Sequence, residues 1–237
     1  MKRIIILALG VLLALALTTP MALAQIGQGA NKSGKAAELA VAWAQWAYSK
    51  PVDESSPLIG SYEGGPRCDG TPVSPTPGKQ WFLAGTFDGS EVVRTCTAPV
   101  GTHFFFPVVS SLAFPFLPGE TEENQREAAI AFIEAVLADP DFSMSVTVDG
   151  EEVKSNRIVR ATFTGFTLPL AEENVFDPFV EVPAGEYEGA TIDGLWVTLP
   201  PLPPGEHEIH FEMSAPNVGF SQNNTYILTV VNGKPAP

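Results

Sequence analysis

The chain has 237 residues, with 13 Lys and Arg against 27 Asp and Glu and a formal net charge of −14. Such an acidic surface repels nucleic acid and anionic membranes, because both bind proteins through clustered cations, and the sequence contains no run of Lys or Arg. We therefore expect no nucleic-acid partner. The 22 prolines and 21 glycines follow no period, which favours many turns over long helices.

Residues 1–24 have the composition of a cleaved secretory signal peptide. Lys2 and Arg3 form a positive head, an apolar run follows over 4–17, and small residues at 22 and 24 precede Gln25. The run is shorter than the roughly 20 residues that span a bilayer. The pattern predicts export to the periplasm or the medium, without a membrane anchor. We expect residues 25–237 to form a single β-rich domain, whose oligomeric state is left open.

An Ala-rich segment without Gly or Pro predicts the first helix over residues 35–49. Leu39, Trp43 and Trp46 share one face of that helix, so we expect the two tryptophans to pack on a sheet, and Pro51 ends the helix. An irregular segment rich in Pro, Gly and Ser follows up to residue 79.

Cys68 and Cys96 are the two cysteines of the chain. An even number of cysteines in an exported protein predicts a structural disulfide rather than a catalytic thiol. This bridge would fasten the strand over 91–97 to the irregular segment before it.

Short apolar runs separated by turn residues predict a succession of strands. The first two, over 80–86 and 91–97, are expected to form a hairpin across Asp88-Gly89, and Asp149-Gly150 is expected to turn the chain back in the same way. A second helix is expected over 122–138, with Thr121 as its N-cap. The other predicted strands cover 102–108, 143–149, 151–154, 157–166, 194–199, 207–213 and 225–231.

Together these elements predict a mainly β fold, an antiparallel β-sandwich of jelly-roll or immunoglobulin-like type. The two helices are expected to flank the sandwich.

A Pro-x-Gly turn recurs three times and ends in His103, Tyr187 or His207. The two histidines could meet at one end of a sandwich, so all three residues are candidates for ligand binding. The alternative is that each is a strand-end side chain with a satisfied hydrogen bond. His207 and His210 are three residues apart on a strand and face opposite ways, and no metal site is predicted.

Trp196 lies on the strand over 194–199 and faces away from Leu195 and Val197. One interpretation is an exposed ring on which a sugar stacks. The other is a ring covered by a flanking helix.

No catalytic residues are assigned, because the chain lacks a Gly-x-Ser-x-Gly turn and its carboxylates show no diagnostic spacing. No cofactor is expected. Acidic loops at 139–141, 172–177 and 186–188 offer oxygen ligands for a weak calcium site, or are simply solvated surface charge.

The stretches QWFLAGTFDG (80–89) and VVRTCTAPVGTHFFFPV (92–108) resemble a group of exported, mostly bacterial proteins of unassigned function. The group shares a Trp-rich N-terminal helix, a Trp-Phe-Leu-Ala-Gly strand, an Arg-x-Cys-x-x-Pro-x-Gly segment and a Phe-Phe-Pro strand end. The resemblance covers roughly residues 40–110, with a weaker one over 194–211. It implies export and a shared fold, and it brings no catalytic residues.

The sequence thus predicts a secreted binding or surface-associated module, with an extracellular glycan as the leading ligand. The alternatives are an extracellular hydrolase that acts on cell-wall or other polymers, and a structural or interaction module without a small ligand.

Overall fold

Two α-helices and ten β-strands make up the part of the chain that the computed structural model describes, residues 30–53, 55–71 and 80–232. The prediction of a mainly β protein with two helices is confirmed, whereas the predicted leader lies outside the described residues. The elements are α1 (Ala30–Tyr48), α2 (Glu122–Ala138), β1 (Tyr62–Glu63), β2 (Gln80–Phe82), β3 (Glu91–Pro99), β4 (His103–Ala113), β5 (Ser143–Val148), β6 (Glu151–Glu152), β7 (Ile158–Leu170), β8 (Gly185–Leu199), β9 (Gly205–Ala215) and β10 (Phe220–Val231).

Local sequence signals account for both helices. The Thr121 hydroxyl accepts a hydrogen bond from the Asn124 N–H, and α2 has the bounds that the sequence predicts. Asp139 caps its C-terminal end just before Pro140. α1 begins at Ala30, earlier than the predicted start at residue 35, and it includes Gly34. Neither described helix is long and apolar enough to cross a membrane.

The described strands form two sheets. The first sheet has six strands in the order β1-β3-β10-β9-β5-β6, and the second sheet has four in the order β2-β4-β8-β7. Both sheets are mixed: β3 runs parallel to β1 and β10, and β2 runs parallel to β4, while the other pairs are antiparallel. The prediction of antiparallel sheets is therefore wrong for these parallel pairs.

The predicted hairpin between 80–86 and 91–97 does not form, because its two arms belong to different sheets. β2 pairs with β4 in the second sheet, and β3 pairs with β10 in the first. The turn itself is present: the Asp88 carboxylate accepts hydrogen bonds from the N–H and hydroxyl of Ser90, and Gly89 has a φ of 74°. This turn carries the chain from one sheet to the other.

The predicted turn at Asp149-Gly150 does form a hairpin. Both residues have positive φ, 53° and 80°, and Val148 pairs with Glu151 across the turn. Two consecutive positive φ angles are typical of the tight turn whose twist matches that of antiparallel strands.

The hydrophobic core has two parts on opposite faces of the second sheet. On one face, Phe106 of β4 contacts Phe211 of β9 with ring centroids 4.7 Å apart, so the two sheets pack against each other, and Ile133 of α2 joins this part. On the other face, Trp43 of α1 lies 5.5 Å from Trp196 of β8. The second sheet is therefore buried on both faces, which explains the continuous apolar run in β4.

The disulfide joins Cys68 to Cys96, with Cα atoms 5.4 Å apart. Cys68 ends a short 3-10 turn, Pro66–Cys68, and Cys96 lies within β3. This confirms the predicted bridge and the predicted attachment of the strand to the irregular segment. Because disulfides persist in oxidising compartments, the bridge indicates such a compartment for this protein.

We predict that replacing both cysteines by alanine lowers the free energy of unfolding by about 3 to 4 kcal/mol, because the unfolded chain regains the entropy of an open loop. The bridge closes a sequence separation of 28 residues. Urea unfolding of the wild type, the double variant and the chemically reduced wild type measures the effect. Superimposable unfolding curves for all three proteins would contradict a stabilising role.

Candidate functional site

Trp196 is completely buried. Its ring stacks on Phe105 at a centroid distance of 5.1 Å and meets Trp43 edge-on at 5.5 Å, while its indole N–H donates to the Ala161 carbonyl. The prediction of Trp196 as a ligand-binding residue is therefore wrong, and the helix-covered alternative is correct. The reason is that β8 lies inside a sheet whose two faces are both covered.

Tyr187 and His207 make the same local contact at the start of their strands. The Tyr187 hydroxyl donates to the Pro183 carbonyl at 2.7 Å, and Nε2 of His207 lies 2.9 Å from the Pro203 carbonyl oxygen. Each side chain thus closes its own Pro-x-Gly turn, four residues after the proline. This arrangement supports the strand-end interpretation of both residues over ligand binding.

His207 also forms an ion pair with Asp149, since Nδ1 lies 2.8 Å from the Asp149 carboxylate. Carboxylate and carbonyl oxygens only accept hydrogen bonds, so both contacts of the ring are satisfied together when both nitrogens carry protons. The hydrogen bond to Asp149 raises the pKa of His207 against the effect of its partial burial. Burial raises the pKa of Asp149, but hydrogen bonds from His207 and Glu208 outweigh it and lower that pKa.

His103 belongs to a different sheet from His207. It is exposed and begins β4 in the second sheet, whereas His207 belongs to β9 in the first. Within residues 30–53, 55–71 and 80–232, no group of three or more His, Cys, Asp or Glu side chains is placed to hold a metal ion.

The acidic loop at 139–141 has a structural role. Asp139 is buried, and its carboxylate accepts hydrogen bonds from the N–H groups of Asp141 and Val218 and from the backbone and side chain of Asn217. Burial raises the pKa of Asp139, but these hydrogen bonds outweigh it and lower that pKa. The carboxylate therefore fastens the end of α2 to the turn between β9 and β10.

A cleft of about 230 Å³ lies where the two parts of the core meet. Six of its fourteen described lining residues are aromatic, and we call it the aromatic cleft. Residues from both helices, both sheets and three loops contribute to it. The aromatic residues that line it are Trp43, Tyr48, Phe87, Phe132, Phe176 and Phe220.

Polar groups of the aromatic cleft come from Thr86, Ser110, Ser111 and Gln222. The two serines follow an irregularity in the pairing of β4 with β8, between Pro107 and Val109. Such bulges change the direction of side chains next to binding sites. The serine hydroxyls make no hydrogen bond to another described residue.

The described residues that line the aromatic cleft include no Asp, Glu, Lys, Arg or His. Burial raises the pKa of the Tyr48 hydroxyl, which therefore stays protonated at neutral pH. The cleft is thus electrically neutral, and it lacks a side chain that could exchange protons with a substrate near neutral pH.

Phe179 extends the aromatic surface to the rim of the cleft. Its side chain is 73% exposed, and its ring lies 5.9 Å from that of Phe87, which lines the cleft. The sequence analysis missed this residue, because it lies in a loop without strand periodicity. The available signal was the apolar pair Phe179-Val180 within the acidic stretch 172–181.

Arg94 is fully buried behind Gly85, a residue of the cleft wall, and forms no ion pair with a described carboxylate. Its guanidinium donates hydrogen bonds to the carbonyls of Gly60 at 3.1 Å, of Gly85 at 3.4 Å and of Ala84. It also donates to the Tyr226 hydroxyl at 2.8 Å. Backbone carbonyls therefore satisfy this cation in place of an acid.

The cleft wall over residues 83–86 is held by further side chains. The Trp43 indole donates to the Leu83 carbonyl at 2.7 Å, and the Tyr226 hydroxyl bonds to both the N–H and the carbonyl of Ala84. A side chain on Gly85 would collide with Gln222. Side chains thus replace a neighbouring strand as the support of this segment.

We predict that Arg94→Lys lowers the free energy of unfolding by about 2 to 4 kcal/mol, because each buried carbonyl left without a donor costs about 1–3 kcal/mol. Lysine keeps the charge but lacks the planar fork that reaches several carbonyls at once. Arg126→Lys is the control, since this side chain is 48% exposed and pairs only with Glu123 on the surface. Equal unfolding midpoints in urea for the two variants would rule out the role assigned to Arg94.

We predict that Asp149→Asn lowers the pKa of His207, because the hydrogen bond to Asp149 is the largest cause that raises it. Asparagine tolerates the positive φ at this position and keeps an acceptor for the Glu208 N–H. The pKa of His207 is raised in the folded protein, so its ion pair with Asp149 stabilises the fold below about pH 6.5, the ordinary pKa of histidine. This stabilisation is lost as the pH rises through the raised pKa. NMR titration of the imidazole tests this, and an unchanged titration midpoint would contradict it.

No family model and no curated protein matches the chain. Solved structures with some similarity include Amebosin, 14% identical with a TM-score of 0.21, where 63% of this chain and 96% of the other are covered. A family 123 glycoside hydrolase from Clostridium perfringens is 13% identical with a TM-score of 0.25, where 60% of this chain and 23% of the other are covered. PbICP-C, solved in complex with falcipain-2, is 13% identical with a TM-score of 0.21, where 65% of this chain and 100% of the other are covered. Similarity this low assigns neither a family nor a function.

Proposed function

We propose that this protein is an exported binding module that holds a neutral carbohydrate in the aromatic cleft. The observation that carries the proposal is the neutral, aromatic lining that continues onto the exposed ring of Phe179. Sites for small ligands combine an apolar, aromatic wall with a few polar groups that fix orientation, and this cleft has both.

A sugar ring complements the cleft in two ways. Its C–H faces are slightly positive and stack on the negative faces of aromatic rings, which Phe87 and Phe179 provide at the rim. Its hydroxyls need hydrogen-bond partners, and Ser110, Ser111 and Gln222 offer them inside the cleft.

Charge favours a neutral glycan over an acidic one. The chain carries a formal net charge of −14, and exposed carboxylates of Glu172, Glu173 and Glu181 lie in the loop that carries Phe179. A polyanionic polysaccharide would be repelled by this surface, and the same repulsion disfavours nucleic acid.

The lining of the cleft favours a binding module over the alternative of an extracellular hydrolase. Hydrolysis of a glycosidic bond needs a pair of carboxyl groups, and hydrolysis by a serine needs an adjacent base. The described lining residues supply neither. A structural module without a ligand would have no use for the unpaired serine hydroxyls and the exposed aromatic rim.

The fold and the location belong to the same proposal. We interpret the two packed sheets as a sandwich of jelly-roll or immunoglobulin-like type, with α1 and α2 flanking it. After loss of a leader over residues 1–24, the protein would act in the periplasm or the medium, where glycans are accessible.

We predict that a glycan array finds a neutral oligosaccharide ligand for the chain over 25–237, and that Phe179→Ala weakens its binding about 3- to 10-fold, the loss expected for one stacked ring. The matched control is Val93→Ala, which removes a 50% exposed apolar side chain on β3. Both variants should unfold like the wild type, because neither side chain is buried. Calorimetric titration measures affinity; the absence of any neutral ligand, or equal affinity of both variants, would remove the proposal.

A further inference from the structure

We infer, on the basis of the carbohydrate-binding function above, that the aromatic cleft selects sugars that carry an acylamino group. The carbonyl oxygen of that group would accept hydrogen bonds from the backbone N–H groups of Gly85 and Thr86, which line the cleft.

Both N–H groups lack an acceptor within the described residues. Gly85 and Thr86 are buried, and the hydrogen bonds of this segment involve the N–H groups of Leu83, Ala84 and Phe87 instead. Buried backbone N–H groups are nearly always paired in folded proteins, by protein, water or ligand. Two consecutive unpaired donors in a cleft wall therefore mark a place for an acceptor.

The position of Arg94 fixes the direction of these two donors. The guanidinium binds the carbonyls of Ala84 and Gly85, which belong to the same peptide groups as the N–H groups of Gly85 and Thr86. The described residues contain no cis peptide bond, and a trans peptide holds its N–H opposite its carbonyl. Both N–H groups therefore point away from the guanidinium, and the residues that carry them line the cleft, whereas Arg94 does not.

The buried cation also strengthens the donors. A positive charge on the carbonyl side of a peptide group polarises it and makes its N–H a better donor, most of all in a low-dielectric interior. Adjacent N–H groups that point the same way form a concave site for an oxygen that carries negative charge. The Gln222 amide lies against Gly85, and its Oε1 accepts a hydrogen bond from Asn224, which leaves its Nε2 as a third donor.

An amide carbonyl fits this place better than a carboxylate. The wall around the donors is aromatic and uncharged, and burying an ionised carboxylate there costs far more than burying an amide. The methyl group of an acetyl substituent would lie against the aromatic lining. Asn224, beside Gln222, contains a buried Oδ1 without a partner in the described residues, so this end of the core also has an unfilled acceptor.

Two trisaccharides test the inference on the chain over 25–237. Triacetylchitotriose and cellotriose share the same β-1,4-linked backbone and differ at C2, where the first carries an acetamido group and the second a hydroxyl. We expect the acetylated sugar to bind about tenfold more tightly, which is the effect of one or two neutral hydrogen bonds. In ¹⁵N spectra, the amide signals of Gly85 and Thr86 should shift with the acetylated sugar and stay in place with cellotriose.

A variant pair adds a second measurement. Thr86→Pro removes one of the two N–H groups. The control is Val93→Ala, which changes an exposed side chain on β3 outside the lining of the cleft. We expect the proline variant to bind both sugars equally and the control variant to keep the preference. If the proline variant does not fold, the amide shifts of the wild type decide alone.

The outcomes separate the two proposals. Equal affinity for both sugars with unmoved Gly85 and Thr86 signals would overturn the acylamino inference and leave carbohydrate binding intact. If a uronic-acid trisaccharide binds more tightly than triacetylchitotriose, the acylamino inference is also overturned. Failure of every neutral glycan to bind would overturn the proposed function and the inference with it.

Discussion

A cation buried without an acid determines the course of the chain between the two sheets. Arg94 is fully buried between the rings of Tyr62 and Tyr226, at 5.0 and 5.5 Å from their centroids. Removing a guanidinium from water costs several kcal/mol unless its donors are satisfied, and carbonyl oxygens must do so where no carboxylate is present. Ala84 and Gly85 supply such oxygens because they follow the end of β2, where no neighbouring strand uses their carbonyls.

The need of Arg94 for carbonyl acceptors connects the fold to the aromatic cleft. Once residues 83–86 are turned toward Arg94, the chain leaves the second sheet and enters the first at Glu91, which places β3 parallel to β10. The connecting segment passes the junction of the two core parts, where a Cβ on Gly85 would collide with Gln222. The aromatic cleft lies along this segment, and the unpaired N–H groups of its wall face away from the guanidinium. The segment that Arg94 holds therefore connects the two sheets and also carries the donors that the cleft offers.

Two turns show what the sequence could and could not predict. Asp149-Gly150 and Asp88-Gly89 have the same local chemistry, yet only the first closes a hairpin, because β3 pairs with β10, which is distant in sequence. Helix and disulfide predictions succeeded because caps, prolines and a cysteine count are local or global properties of the sequence. Trp196 was a ligand-binding candidate but is buried, and Phe179 is exposed but was not a candidate. Exposure depends on which helix or loop covers a ring, and no short sequence pattern records that.

Three segments of the sequence meet at one place in the structure. Trp43 comes from α1, Ala84 and Gly85 follow β2, and Arg94 lies in β3. The first and the third of these segments bond to the backbone of the second, through the Trp43 indole and the Arg94 guanidinium. Packing alone would ask only for apolar residues of the right size at these positions. The Trp43 indole donates to one carbonyl and the Arg94 guanidinium donates to two other carbonyls. These bonds impose a specific backbone conformation, which the wall of a binding site needs and an apolar core does not.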